Sequence, residues 1–151
     1  MLKRRVLVLS LAMLTILVTA CDSPLERASY RVPLTKLVIA VERIPAHFFL
    51  AEYHRRVELN WDGRKTLSSE LLLDTDSHGR INMYSRNGVV FLLKDSYARY
   101  TVDIARYTIA SDPPPTRLGS FVGSFDTDSS GAWRFIPASE RAELPTEASG
   151  G

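Results

Sequence analysis

From Arg55 onward the chain is a series of short apolar runs, several with a period of two, cut at close intervals by turn residues. Val57, Leu59 and Trp61 alternate with Arg56, Glu58 and Asn60, the pattern of a strand with one buried and one wet face. Asp62-Gly63 follows at once. That dipeptide closes two-residue hairpins, because the turn needs positive φ and Gly adopts it without steric cost. Asn87-Gly88 repeats the signal between the runs 81–85 and 89–94. Further strands are expected over 35–42, 66–73, 99–105 (with 107–110 extending it), 118–125 and 133–136. No stretch after residue 34 has the length and 3.6-residue period of an amphipathic helix. The pattern predicts a mainly β domain, a single antiparallel β-sandwich or barrel of about seven to eight strands.

The margins read differently. Residues 21–33 are polar and hold Pro24 and Pro33, which suggests a tether; 138–151 have little to bury and suggest a flexible tail. The folded part is expected at 34–137, with no gap that looks like a linker between domains. Within it, Asp112-Pro113-Pro114-Pro115 lacks three backbone donors and is excluded from a central ladder. Residues 46–55 are ambiguous. Phe49, Tyr53 and Val57 have helical spacing, but the aromatic content suits a strand, and strand or irregular structure is the reading adopted.

The N-terminus constrains location. Lys3, Arg4 and Arg5 precede 14 uncharged residues, 6–19, which end at small Ala20 and then Cys21. A basic start, an apolar core and a small exit residue are the parts of a secretory signal. As a helix the core would span about 21 Å, short of the ~30 Å hydrocarbon thickness, which disfavours the alternative of an uncleaved membrane helix. Cys21 is the only cysteine, so no intrachain disulfide is available. Val18-Thr19-Ala20-Cys21 resembles the lipobox of bacterial lipoproteins, with Val18 where Leu is commoner. The resemblance covers residues 1–22 only. It implies a signal peptide at 1–20, cleavage before Cys21, diacylglycerol on the Cys21 sulfur and, in many bacteria, acylation of the new amine. Two or more acyl chains anchor stably where one does not. Asp22 follows, and in enteric-type lipoproteins Asp there implies retention on the periplasmic side of the inner membrane.

Processing also changes the charge. It removes three basic groups and no acid from 19 Lys+Arg and 17 Asp+Glu, leaving 16 against 17. A nucleic-acid binder would carry a basic footprint, so nucleic acid is not an expected partner.

Two loops echo each other. Residues 74–79 (Asp-Thr-Asp-Ser-His-Gly) and 126–131 (Asp-Thr-Asp-Ser-Ser-Gly) differ only at His78 against Ser130. Such hairpins resemble those of transthyretin-like and other β-sandwich domains, and an immunoglobulin-like or transthyretin-like sandwich is the expected type. A duplicated half-domain is the alternative, but the flanks do not match. Asp74, Asp76, Asp126 and Asp128 are calcium candidates. Each Gly is sixth, as an EF-hand requires, but the twelfth positions are Ser85 and Pro137 rather than a bidentate acid, so plain turns are expected and no metal.

His47, His54 and His78 complete no zinc spacing and are read as solvated or core-edge side chains. Arg55-Arg56 and Arg64-Lys65 are read as solvent-face charges, with anionic lipid heads the alternative. Tyr30, Tyr97 and Tyr107 fit no core parity and are candidate interface residues. Neither a nucleophile elbow, a phosphate-binding Gly loop nor a dinucleotide fingerprint is present. The expectation is therefore not an enzyme, and no cofactor. It is a lipid-anchored module that docks a protein of the cell envelope, such as an accessory subunit of an envelope complex or an immunity-type protein. The alternative is a small envelope hydrolase or a lipid or sugar carrier.

Overall fold

Alternating side chains sort the chain into two antiparallel sheets in the computed structural model, which describes residues 24–47, 49–50, 52–75, 79–111 and 117–146. The first sheet is a meander of β1 (Glu26–Arg31), β2 (Leu37–Pro45), β3 (Tyr53–Trp61) and β4 (Lys65–Glu70). The second comprises β5 (Ile81–Arg86), β6 (Val90–Lys94), β7 (Arg99–Asp103), β8 (Thr108–Ser111), β9 (Ser120–Thr127) and β10 (Trp133–Pro137). Its order is β10-β9-β5-β6-β7-β8, so the chain returns after β8 to lay β9 beside β5. Ile39, Val41, Val57 and Leu59 of the first sheet meet Met83, Phe91, Leu93, Val102 and Phe125 of the second in one core. The architecture is mainly β and sandwich-like, with β1 beside β10 and β4 beside β8 at the margins.

The expected hairpins form. Asp62 and Gly63 have φ of 53° and 70°, Asn87 and Gly88 of 58° and 72°, positive at both central residues as the right-handed strand twist favours. The described residues hold ten strands rather than seven or eight, and two local features account for the difference. Ala28, Tyr30 and Val32 turn inward from the segment expected as a tether, so β1 completes the first sheet. Asp103 accepts the N–H groups of Ala105 and Arg106 at 3.0 and 2.9 Å, and the chain reverses there. Residues 108–111 are thus a separate strand and not an extension of β7. The break expected at 112–115 lies outside the described residues.

The tail also departs from expectation up to Thr146. Residues 141–146 form a strap across the outer face of the second sheet. Asn82 donates to the Leu144 carbonyl at 2.8 Å, Arg80 donates to that of Pro145 at 2.7 Å, and Ser96 donates to that of Thr146. The Tyr84 hydroxyl donates to Glu143 at 2.6 Å. Burial, and then this bond to a carboxylate, push the Tyr84 pKa up to about 12. The strap explains why Tyr84 and Leu92, which point away from the main core, are nevertheless buried.

Two arginines face inward. Arg43 of β2 and Arg55 of β3 are directly opposed across the strands and both are buried. Arg55 is 2% exposed, at the same parity as Val57 and Leu59, not on the solvent face where it was expected. It donates to Asp95 at 2.8 Å and to the Leu72 carbonyl at 2.9 Å. Asp95 in turn accepts the N–H groups of Tyr97 and Ala98, closing the β6–β7 turn. Arg43 is sandwiched between the Tyr53 and Trp133 rings, 4.4 and 4.2 Å from their centroids, and donates to Glu26.

Arg55→Leu would strand the Asp95 carboxylate in the core, a defect of about 3–5 kcal/mol when a buried pair loses one member. Urea unfolding should register a loss of that order, against less than about 0.5 kcal/mol for exposed Arg64→Leu. Equal effects of the two changes would show that the pair behaves as a surface bridge.

Candidate functional site

The strand registers give the molecule two poles. The β1–β2, β3–β4, β5–β6 and β7–β8 turns gather at one, called distal here. The β2–β3, β6–β7 and β9–β10 turns gather at the other, where Leu25 leads into β1; this is the proximal pole.

The twin acidic loops lie at the proximal pole but are not equivalent. Residues 128–132 turn the β9–β10 hairpin, whereas 74–75 and 79 belong to the crossing from the first sheet to the second. Asp126 is buried and accepts from both Arg80 and Arg141 at 2.8 Å. Asp128 caps its own turn. The Ser130 hydroxyl, the Ser130 and Ala132 N–H groups and Arg134 all bond it and hold its pKa well below the usual carboxylate range. Asp74 is buried and exchanges backbone hydrogen bonds of 3.1 Å with Tyr53. A Cβ on Gly79 would come within 3.0 Å of Asp74 Oδ2 and 3.3 Å of Arg43 Nη1, so the glycine lets the loop close over them. Two of the four calcium candidates are thus engaged by arginine. Asp76, His78, Cys21 and Asp22 lie outside the described residues.

The other candidates separate. His47 is exposed, 3.4 Å from Glu52. His54 is exposed on the outer face of β3. Arg56 lies on that face too, in a network with Glu42, Glu58 and Arg27. Burial favours the neutral form of Glu42, but its bonds to Arg56 and Arg27 outweigh this and lower its pKa. Tyr30 packs on Phe91 and Phe135 inside the sandwich, not at an interface. Tyr107 is a strut between the sheets. Its hydroxyl donates to the carbonyls of Leu59 and Lys65, at 2.9 and 2.7 Å, from a strained φ of 56°. Tyr97 is 59% exposed.

At the distal pole the turns leave an apolar groove of about 420 Å³, floored by Leu37, Trp61, Val89 and Ile104. Trp61 keeps the alternation of β3 but stands at the strand's end and is 50% exposed. Leu34 is fully exposed and held at a φ of 60° in the β1–β2 turn. A leucine in that conformation, without burial, costs stability and has no packing role. Exposed Lys36, Arg64, Lys65 and Arg106 outnumber the acids Asp62 and Asp103 on the surrounding turns.

The proximal pole carries a second cleft, of about 740 Å³, between β4 and the β6–β7 turn. Its polar groups include Glu70, Lys94, Asp95, Ser96 and Arg99, and among the described residues no histidine lines it. The Ser96 hydroxyl is spent on the strap and Asp95 on Arg55. Leu34, Val89 and Ile104 were missed as site residues from the sequence. The signal available was a large aliphatic residue beside a turn, which is too common to use.

With Asp126 and Asp128 held by arginines, the melting temperature of the protein should be the same in calcium and in chelator. A chelator-induced fall of more than about 5 °C, of order 1 kcal/mol for a domain this size, would mean that metal displaces the guanidinium groups. Among known proteins, no family model, no curated protein and no solved structure matches this chain.

Proposed function

We propose that the chain is a lipid-anchored envelope lipoprotein, tethered through Cys21, that docks a protein partner in the distal groove. The observation that carries the reading is the groove itself. Trp61 and strained Leu34 are apolar and exposed at the pole farthest from the chain's N-terminal link, the end a tethered domain presents outward. Exposed aromatic side chains in concave sites dominate binding energy at protein interfaces, and a basic rim selects an acidic partner surface. Tethering raises the effective concentration of the groove toward other membrane proteins. Asp22 supports residence on the periplasmic side of the inner membrane. For the fold, a transthyretin-like or immunoglobulin-like sandwich remains our reading. All-antiparallel pairing supports it, although ten strands exceed the seven to nine of an immunoglobulin domain.

A second reading, a carrier of a small amphipathic molecule, is favoured by the size and mixed lining of the proximal cleft. The two separate by experiment. A photo-crosslinking residue at Leu34 should capture one protein in intact cells, and Trp61→Ala should weaken that complex by roughly 30-fold, about 2 kcal/mol, without unfolding the domain. Undiminished binding by Trp61→Ala would remove the groove from the mechanism. For the anchor, a fatty-acid probe should label the wild type and not Cys21→Ser; equal labelling would defeat it.

A further inference from the structure

We propose that the proximal pole rests on an anionic phospholipid bilayer, with Phe49, Leu50 and Tyr97 at the headgroup level, so that contact with the membrane sets which way up the domain stands. The inference rests on the Cys21 anchor and goes beyond it.

Chain reach comes first. Only four residues separate Cys21 from Glu26, where β1 begins. Five extended steps cover about 17 Å at most. Glu26 pairs with Arg43, which sets Leu25 at the proximal pole. The distal turns lie a full nine-residue strand away, about 27 Å at the usual rise. An acylated Cys21 therefore holds the proximal pole, and not the distal one, within touching distance of the lipid.

The surface there is suited to that contact. Phe49 is 84% exposed, and Leu25, Ile44, Leu50, Leu72 and Leu73 are exposed with it. Tyr97 projects from the β6–β7 turn on the other side of the cleft. Aliphatic side chains enter the acyl boundary, and tyrosine favours the headgroup layer.

Charge points the same way. Four acids at this pole are engaged by arginine: Glu26 by Arg43, Asp95 by Arg55, Asp126 by Arg80 and Arg141, and Asp128 by Arg134; Glu52 and Glu70 have no such partner among the described residues. Lys94 and Arg99, by contrast, are directly opposed in the β6–β7 register. Among the described residues neither has a carboxylate in salt-bridge range, although Glu70 lines the same cleft. Like charges placed opposite one another destabilise a ladder, and a lipid phosphate seated between them would relieve the repulsion. These two cations, rather than the Arg64-Lys65 pair at the distal pole, face the headgroups.

Cys21 is the sole cysteine and its sulfur is acylated in this reading, so a newly introduced cysteine is the one site open to a thiol dye. The full acylated chain would be purified as Leu50→Cys and as Arg64→Cys, labelled with an environment-sensitive fluorophore, and bound to phosphatidylcholine vesicles with and without phosphatidylglycerol. The Leu50 probe should shift to the blue and lose emission to nitroxide-labelled lipid, more so with phosphatidylglycerol; the Arg64 probe should do neither. Lys94→Gln with Arg99→Gln should abolish the extra quenching, and its persistence would overturn the headgroup part of the proposal. A Leu50 probe that stays water-like on protein that floats with the vesicles would overturn the whole. The mass of the purified protein separates this from failure of the anchor: without the acyl mass, the anchor reading falls, and this inference with it.

Discussion

Two guanidinium groups inside the sandwich govern the proximal half of the structure. Arg43 and Arg55 face each other on adjacent strands, where like charges repel unless each is neutralised at once. The neutralising groups come from different places. Glu26 reaches Arg43 from the edge strand, and Asp95 reaches Arg55 from a turn of the opposite sheet. The second contact binds sheet to sheet, and because Asp95 also closes the β6–β7 turn, it fixes the wall of the proximal cleft. The Tyr53 and Trp133 rings around Arg43 replace water with π-faces.

The distal half is held differently. There the strut is Tyr107, whose hydroxyl crosses from the second sheet to two carbonyls of the first, with the Lys65 ammonium 4.1 Å over its ring. A bulky residue at positive φ is tolerated only when its surroundings over-determine it, and those two hydrogen bonds supply the constraint. Tyr107 itself does not line the groove, whose floor is Leu37, Trp61, Val89 and Ile104. On the proposed reading the domain has one end for the membrane and one for a partner.

The C-terminal strap adds a third layer over part of the second sheet. Its bonds are largely to its own carbonyls, which any sequence supplies, and its composition therefore carries little sign of them. Asn82 and Ser124 are buried under it and bond each other at 2.8 Å. The burial of Asn82 and Tyr84 is what makes β5 read as inward on both faces.

Much of the strand pattern was legible in the chain. Short apolar runs, alternating in β3, β4 and β7, located β2 through β7 and β9 with β10, and the Asp-Gly and Asn-Gly pairs located two hairpins, because both signals arise within a few residues. The twin Asp loops were legible as turns in the second copy, where Asp128 caps its own backbone. What the tertiary structure alone decided was the partner of each polar side chain. Arg55 and Arg56 are neighbours of one type in sequence, yet one is buried and the other is on the solvent side, since parity assigns faces but not the identity of what lies opposite. β1 and the strap were hidden for the same reason: short polar segments are ordered by the surfaces they cover. The groove needed four turns, distant in sequence, to meet, and only the pairing of the two sheets brings Leu34, Trp61, Val89 and Ile104 to one pole.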